Sequence, residues 1–157
     1  MYNIKLLNKI AKVGTDCLDP AKYTVGEDVA DPDAILVRSA KMHDMTFSPS
    51  LKAIGRAGAG VNNIPVERCA EEGIVVFNTP GANANGVKEL AIAALLISSR
   101  GIVGGIEWAE SKKGETGIAA LAEKEKSRFA GCEIEGKKLG VIGLGAIGGL
   151  VANAAKG

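Results

Sequence analysis

Aromatic residues are scarce in this chain: three Phe, two Tyr and one Trp make up 4% of 157 residues. A core without large rings must be built from Ala, Val, Ile and Leu. With 21 glycines, that palette suits the closely packed helices and strands of an α/β protein. Cysteine is limited to Cys17, Cys69 and Cys132, odd in number, far apart and in no CxxC pairing. This argues against a disulfide framework or a metal site and matches free thiols in a reducing cytoplasm. The net charge is only +1, with Lys and Arg scattered, so no electrostatic footprint for nucleic acid or an anionic membrane is present. No apolar run approaches the roughly 18 residues of a membrane helix. Met1 to Lys12 carries no small-residue cleavage site and does not read as a secretory signal. Cytoplasmic localisation, with no nucleic-acid or membrane partner, is the expectation.

What is present is the balance of a globular domain, 46% apolar and 24% charged, long enough for one substantial core. Short apolar runs bounded by turn residues recur at Ile4–Leu7, Tyr23–Val25, Ala34–Val37, Ala53–Arg56 and Ile74–Phe77. The third and fifth are continuously apolar, as expected of strands covered on both faces. Between the last two, Pro65 in a first turn and Gly73 just past an end bracket a short helix. Gly86 to Arg100 is apolar all round and predicts a helix buried between layers. Strands alternating with helices predict a parallel α/β sheet. Composition shifts near residue 99, where a domain boundary is expected, giving units 1–98 and 99–157. Gly101 to Gly117 is glycine-rich, and Thr116 is placed to cap a helix reaching about Phe129. Glu123 to Lys126 reads as its solvated face.

From Gly136 a new unit begins: a predicted strand at Lys138–Ile142, a glycine turn, and a helix from about Ile147. Gly143-Leu144-Gly145-Ala146-Ile147-Gly148 is a GxGxxG pattern. Such spacing is weak evidence in a glycine-rich chain, where a turn needed only for packing gives the same pattern. Its strand–turn–helix context strengthens it. The first glycine permits the tight turn and the second lets a pyrophosphate approach the backbone. The third allows close packing, while free N–H groups of the helix start bind the anion. Gly143, Gly145, Ala146, Ile147 and Gly148 are therefore the candidate cofactor-binding residues. The acidic residue that would hold the ribose, about 20 residues further on, would fall beyond Gly157. Tight dinucleotide binding by this chain alone is not expected. Hydride transfer also needs a group to take the hydroxyl proton, most often His. The sole candidate, His43, reads as a surface or loop-packing residue, so no catalytic residue is assigned within the chain.

Five linked motifs then occur in order: Ile35-Leu36-Val37-Arg38-Ser39-Ala40, Gly55-Arg56-Ala57-Gly58-Ala59-Gly60-Val61-Asn62-Asn63-Ile64, Val76-Phe77-Asn78-Thr79-Pro80, Lys88-Glu89-Leu90, and Gly136 through Gly145. The series resembles the D-2-hydroxyacid dehydrogenases, most of all the branch acting on 3-phosphoglycerate, over about the first half of a family member. The resemblance implies a flavodoxin-like parallel-sheet substrate domain, followed by the truncated start of a Rossmann domain that binds NAD. It implies a cleft faced by Arg38 and Ser39, with Arg38 suited to a phosphate or carboxylate. The Gly58-Ala59-Gly60-Val61 loop would hold a substrate carboxylate through backbone N–H groups, although a tight strand-to-helix connection explains the same glycines. Asn83 matches a family Asn near the cleft. The implied activity is oxidation of 3-phosphoglycerate in serine biosynthesis by a homodimer, with the family's catalytic Arg, Glu and His downstream and the fragment itself inactive. Alternatives are action on glyoxylate, lactate or formate, or a non-catalytic NAD-sensing protein of the same fold. Three departures stand out: Asn62 where Asp is common, Ala146 where many members have a basic residue, and Lys41 in place of a frequent Thr.

Overall fold

A computed structural model describes residues 1–156. The chain divides into two units, Met1–Asn83 and Ala84–Gly157. In the first unit the predicted apolar runs become five strands: β1 (Tyr2–Leu7), β2 (Tyr23–Gly26), β3 (Ala34–Val37), β4 (Ala53–Arg56) and β5 (Val75–Phe77). All four pairings are parallel, and the order is β2-β1-β3-β4-β5, the flavodoxin-like arrangement. Helix α1 (Lys12–Thr15) follows β1, and α2 (Val66–Glu71) links β4 to β5. The connections from β2 to β3 and from β3 to β4 carry no helix.

The core gathers Ile35, Val37, Met42, Leu51, Ile54, Ile64, Cys69 and Ile74. Ile54 and Met42 are wholly buried, and removing a side chain of this size from water contributes about 1.5–3 kcal/mol. Met42 and Leu51 come from the helix-free β3–β4 connection, which thus supplies cover that a crossover helix usually provides. Arg68 of α2 secures that connection. Its guanidinium donates to the His43 and Met45 carbonyls at 3.1 and 2.7 Å and stacks 4.2 Å from the Phe47 ring centre. Proline and glycine punctuate α2 as expected: Pro65 precedes it, and Gly73 follows in the left-handed region at φ 73°.

Both ends of the sheet are tied by polar side chains. At the amino ends, Asp33 accepts from the Asn3 backbone N–H at 2.9 Å and from Lys52 Nζ at 2.7 Å. Those two bonds hold its carboxyl below the usual carboxylate range. At the carboxyl ends, Asn8 takes a left-handed φ of 66°. Its Oδ1 accepts from the Ser39 and Ala40 backbone N–H groups at 2.9 and 2.6 Å. Asn tolerates this conformation better than most residues, so β1 ends by gripping the loop that leaves β3.

The second unit holds α3 (Ala84–Ser99), α4 (Ile102–Ser111), α5 (Ile118–Glu125), a 3₁₀ turn at Lys126–Phe129, and α6 (Gly148–Ala155). Helix α3 packs against α6, so it groups with the later residues and the unit starts at Ala84, ahead of the composition shift near residue 99. Glycines 104 and 105 lie beneath the Phe129 ring, and Trp108 adds an aromatic contact at 6.0 Å between centres. Most of the glycine-rich stretch is thereby a helix, Ile102–Ser111.

Several expectations are corrected. Residues 138–142 form no strand, because a strand needs a neighbouring ladder and no strand occurs among the described residues of this unit. The long helix is not buried between layers: Leu90 is 72% exposed, and only Ala84 of α3 is buried. Thr116 does not cap α5; Gly117 occupies that position at φ 74°, with no side-chain capping bond. Nor is β5 covered on both faces. It lies at the sheet edge, where Val75 and Phe77 are exposed.

Candidate functional site

Because every strand runs the same way, the loops leaving β3, β4 and β5 emerge along one edge of the sheet. That edge is where open α/β sheets bind ligands. All the substrate-site residues read from the sequence fall on these three loops. Arg38 and Ser39 follow β3 and are exposed. Gly58 to Val61 follow β4, and exposed Asn83 ends the segment after β5.

The Gly58 loop is held from both sides. Gly58 donates its N–H to the Arg56 carbonyl at 2.9 Å, and its own carbonyl accepts from the Thr79 N–H at 3.0 Å. Asn78 Nδ2 donates to the Ala59 carbonyl at 2.7 Å, and Ile64 N–H closes a turn onto the Val61 carbonyl at 2.9 Å. Gly58 sits at φ 152°, and a Cβ there would run into the Arg56 guanidinium. Glycine is required here for its conformation, and any side chain would also displace the Arg56 guanidinium. The N–H groups of Ala59, Gly60 and Val61 find no acceptor among the described residues. A fixed loop presenting free N–H groups is an anion-binding arrangement.

Beside it lies a cavity of about 480 Å³ lined by Ser39, Lys41, His43, Arg56, Asn62 and Asn63. The lining contains two permanent cations and no carboxylate. Asn63 Nδ2 donates to the Ala40 carbonyl at 2.9 Å, fixing the loop that carries Ser39 and Lys41. Arg56 Nε is buried without a partner, so one of its donors is unpaired while the side chain borders the cavity. Of the expected residues, Ser39 lines this cavity, whereas Arg38 and Asn83 do not. Exposed His43 lines it too, a position its reading as a surface residue did not specify. Arg56 was quoted within a motif but given no role. The available signal was a basic residue ending a strand, immediately before a glycine loop.

The glycine turn of the second unit can be compared with each role proposed for it. Gly143 has φ 89°, which a non-glycine residue rarely adopts. A Cβ on Gly145 would meet nothing within 4 Å, leaving the backbone open to close approach. A Cβ on Gly148 would collide with the Gly143 carbonyl and press on Val141, so the third glycine permits tight packing onto the turn. No side chain caps the start of α6. Gly149 N–H is taken by the Gly145 carbonyl at 3.0 Å, while the Gly148 and Leu150 N–H groups find no acceptor among the described residues and are open to an anion. These residues fit a pyrophosphate. Ile142 and Leu144 beside them are fully and largely exposed.

Comparison with known proteins decides the family. The sequence profile of "D-isomer specific 2-hydroxyacid dehydrogenase, catalytic domain" matches residues 2–152. The chain belongs to this family. It is 38% identical over 156 residues to D-3-phosphoglycerate dehydrogenase of Methanocaldococcus jannaschii, covering 98% of this chain and 28% of that one. Identity to the Mycobacterium tuberculosis enzyme of the same name is 40% over 129 residues, covering 79% and 22%. Among solved structures it resembles NAD+-bound 3-phosphoglycerate dehydrogenase of Entamoeba histolytica, with a TM-score of 0.70 and 28% identity, covering 99% of this chain and 50% of that one. The chain thus spans about a quarter of these curated relatives and half of the solved one.

Proposed function

We propose that this D-2-hydroxyacid dehydrogenase chain supplies the substrate-holding part of a cytoplasmic, homodimeric, NAD-dependent oxidoreductase. The reaction is oxidation of 3-phosphoglycerate to 3-phosphohydroxypyruvate in serine biosynthesis. One observation carries the reading: free N–H groups of Ala59 to Val61 lie beside a carboxylate-free cavity bordered by Arg56, Lys41 and Ser39. A 2-hydroxy acid phosphate brings two anionic groups, and this edge offers both a backbone anion site and side-chain cations. Arg38, exposed at the same sheet edge, adds a cation outside the cavity lining. The loop holds the carboxylate and thereby orients the carbinol carbon. NAD, its pyrophosphate held by Gly143 to Gly148, would supply the hydride acceptor, and the hydroxyl proton of the carbinol would go to a base outside the residues assigned here. Gly143 to Gly148 contribute only the pyrophosphate contact. On this reading the 157-residue chain neither turns over nor binds NAD tightly.

A second reading, a reductase of glyoxylate or hydroxypyruvate, has one observation in its favour. The chain also resembles an NADPH-dependent glyoxylate/hydroxypyruvate reductase from Sinorhizobium meliloti, at 26% identity and TM-score 0.71. Lactate and formate dehydrogenases, and a non-catalytic NAD sensor, share the fold without such an observation. Equilibrium dialysis against 3-phosphoglycerate, glyoxylate and lactate separates them. The expected result is tightest retention of 3-phosphoglycerate; preferential retention of glyoxylate selects the second reading. NADH formation by the purified chain with 3-phosphoglycerate would refute the assignment of the proton-accepting base to other residues.

A further inference from the structure

We infer that Lys41 is a specificity-determining residue, reading the phosphate of a phosphorylated hydroxy acid from the cavity beside the Gly58 loop. The inference rests on the reading that this loop holds the substrate carboxylate. Lys41 lies four residues past the end of β3, on a loop fixed at two points. Asn8 Oδ1 grips the Ser39 and Ala40 N–H groups, and Asn63 holds the Ala40 carbonyl. The next residue, Met42, is wholly buried and donates its N–H to the Asn63 carbonyl at 2.9 Å. Lys41 is therefore mounted between two anchored neighbours.

The charge of Lys41 is uncommitted. It forms no ion pair among the described residues, whereas Lys22, Lys52, Lys88, Lys112, Lys113 and Lys126 each do. The cavity it borders holds no carboxylate, and His43, Asn62 and Asn63 add further potential donors. Asn62 and Asn63 directly follow the loop whose N–H groups face a carboxylate, so the two anion positions adjoin in sequence and on the sheet edge. A compact ammonium beside the Arg56 guanidinium and the Asn62 and Asn63 amides suits a phosphate, whose oxygens accept from several directions. Residues at this position without a charge would leave carboxylate binding intact and weaken discrimination for phosphate.

The test compares dissociation constants of 3-phosphoglycerate and D-glycerate for the 157-residue chain, from backbone amide shifts of residues 58–61. Wild type is compared with Lys41→Thr, Lys41→Arg and the charge control Lys22→Thr. Loss of one charge-assisted contact predicts about tenfold weaker binding of 3-phosphoglycerate to Lys41→Thr. Lys41→Arg restores most of the loss, and glycerate binding does not change in either. Lys22→Thr, on the opposite sheet edge, behaves as wild type. If glycerate still shifts residues 58–61 but Lys41→Thr binds both acids as wild type does, Lys41 is not the reader and the carboxylate loop stands. Equal weakening of both acids also overturns the proposal. If neither acid shifts residues 58–61 in wild type, the loop reading fails and the proposal with it.

Discussion

The two units contain the same number of Ile, Leu and Val residues, nineteen each, yet they bury them very differently. Nine hydrophobic side chains of Met1–Asn83 are buried, from Ile4 to Ile74; among the described residues of the second unit only Ala84 is. Apolar content alone does not make a core. The first unit has a five-stranded sheet whose ladders satisfy the backbone, and its helices and the β3–β4 connection close over one another. The second has helices with exposed Leu90 and Ile106, and exposed Ile142 and Leu144 in the turn before α6. What separates the units is whether the described residues include a layer to pack against.

The largest expected effect breaks this comparison if it fails. Ile54→Ala empties a wholly buried site at the centre of the sheet and should cost about 2–5 kcal/mol in urea unfolding. Leu90→Ala, at a 72% exposed position, should stay within about 0.5 kcal/mol of wild type. Similar losses at both sites would mean that the second unit has a core of its own.

A smaller effect is expected at the ties. Asn8→Gly keeps the left-handed backbone but loses both bonds to Ser39 and Ala40. The cost should be about 1 kcal/mol, accompanied by faster amide exchange at those two residues. Unchanged exchange would show that the β3 loop is held by other means.

The opposite tie predicts a pH dependence confined to the first unit. Bonds from Lys52 and Asn3 lower the folded-state pKa of Asp33 below its ordinary value of 3.8. A lowered folded pKa stabilises the fold above the unfolded value, and that contribution disappears as pH falls through the folded one. Between about pH 4 and pH 2, Tm should therefore fall more steeply for wild type than for Asp33→Asn. Parallel curves would remove Asp33 from the account.

Thiol reactivity gives the smallest perturbation of the fold. Burial raises the Cys69 pKa, and Cys69 is fully enclosed, while Cys17 and Cys132 are exposed. In native protein a thiol reagent should modify Cys17 and Cys132 rapidly and reach Cys69 only after denaturant is added. Rapid labelling of all three would contradict the closed core around α2.

The first unit was far more legible in sequence than the second, for a physical reason. Short apolar runs such as Ala34–Val37 and Ala53–Arg56 match their strands residue for residue, since Gly, Pro, Asp and Ser punctuation states the boundaries. In the second unit the same logic predicted a strand at Lys138–Ile142. Local pattern records the capacity for a strand, whereas a ladder requires a partner. Helix α4 was missed because Gly104 and Gly105 are poor helix formers. Their value is the room they leave for Phe129, and only tertiary structure reveals it. At the candidate site, the Gly58 loop was legible because glycine itself is the signal. Arg56 carried a local signal that went unused, whereas the use of Lys41 and His43 was not legible, because a cavity lining drawn from two distant loops has no local spacing.

The claim that a substrate site is assembled by the first unit alone is tested most directly by titrating the 157-residue chain with 3-phosphoglycerate while recording its backbone amide spectrum. The expected shifts fall at Ser39 and at Gly58 to Val61, with residues 143–151 unmoved. Shifts confined to residues 143–151, or none at saturating ligand, would contradict it.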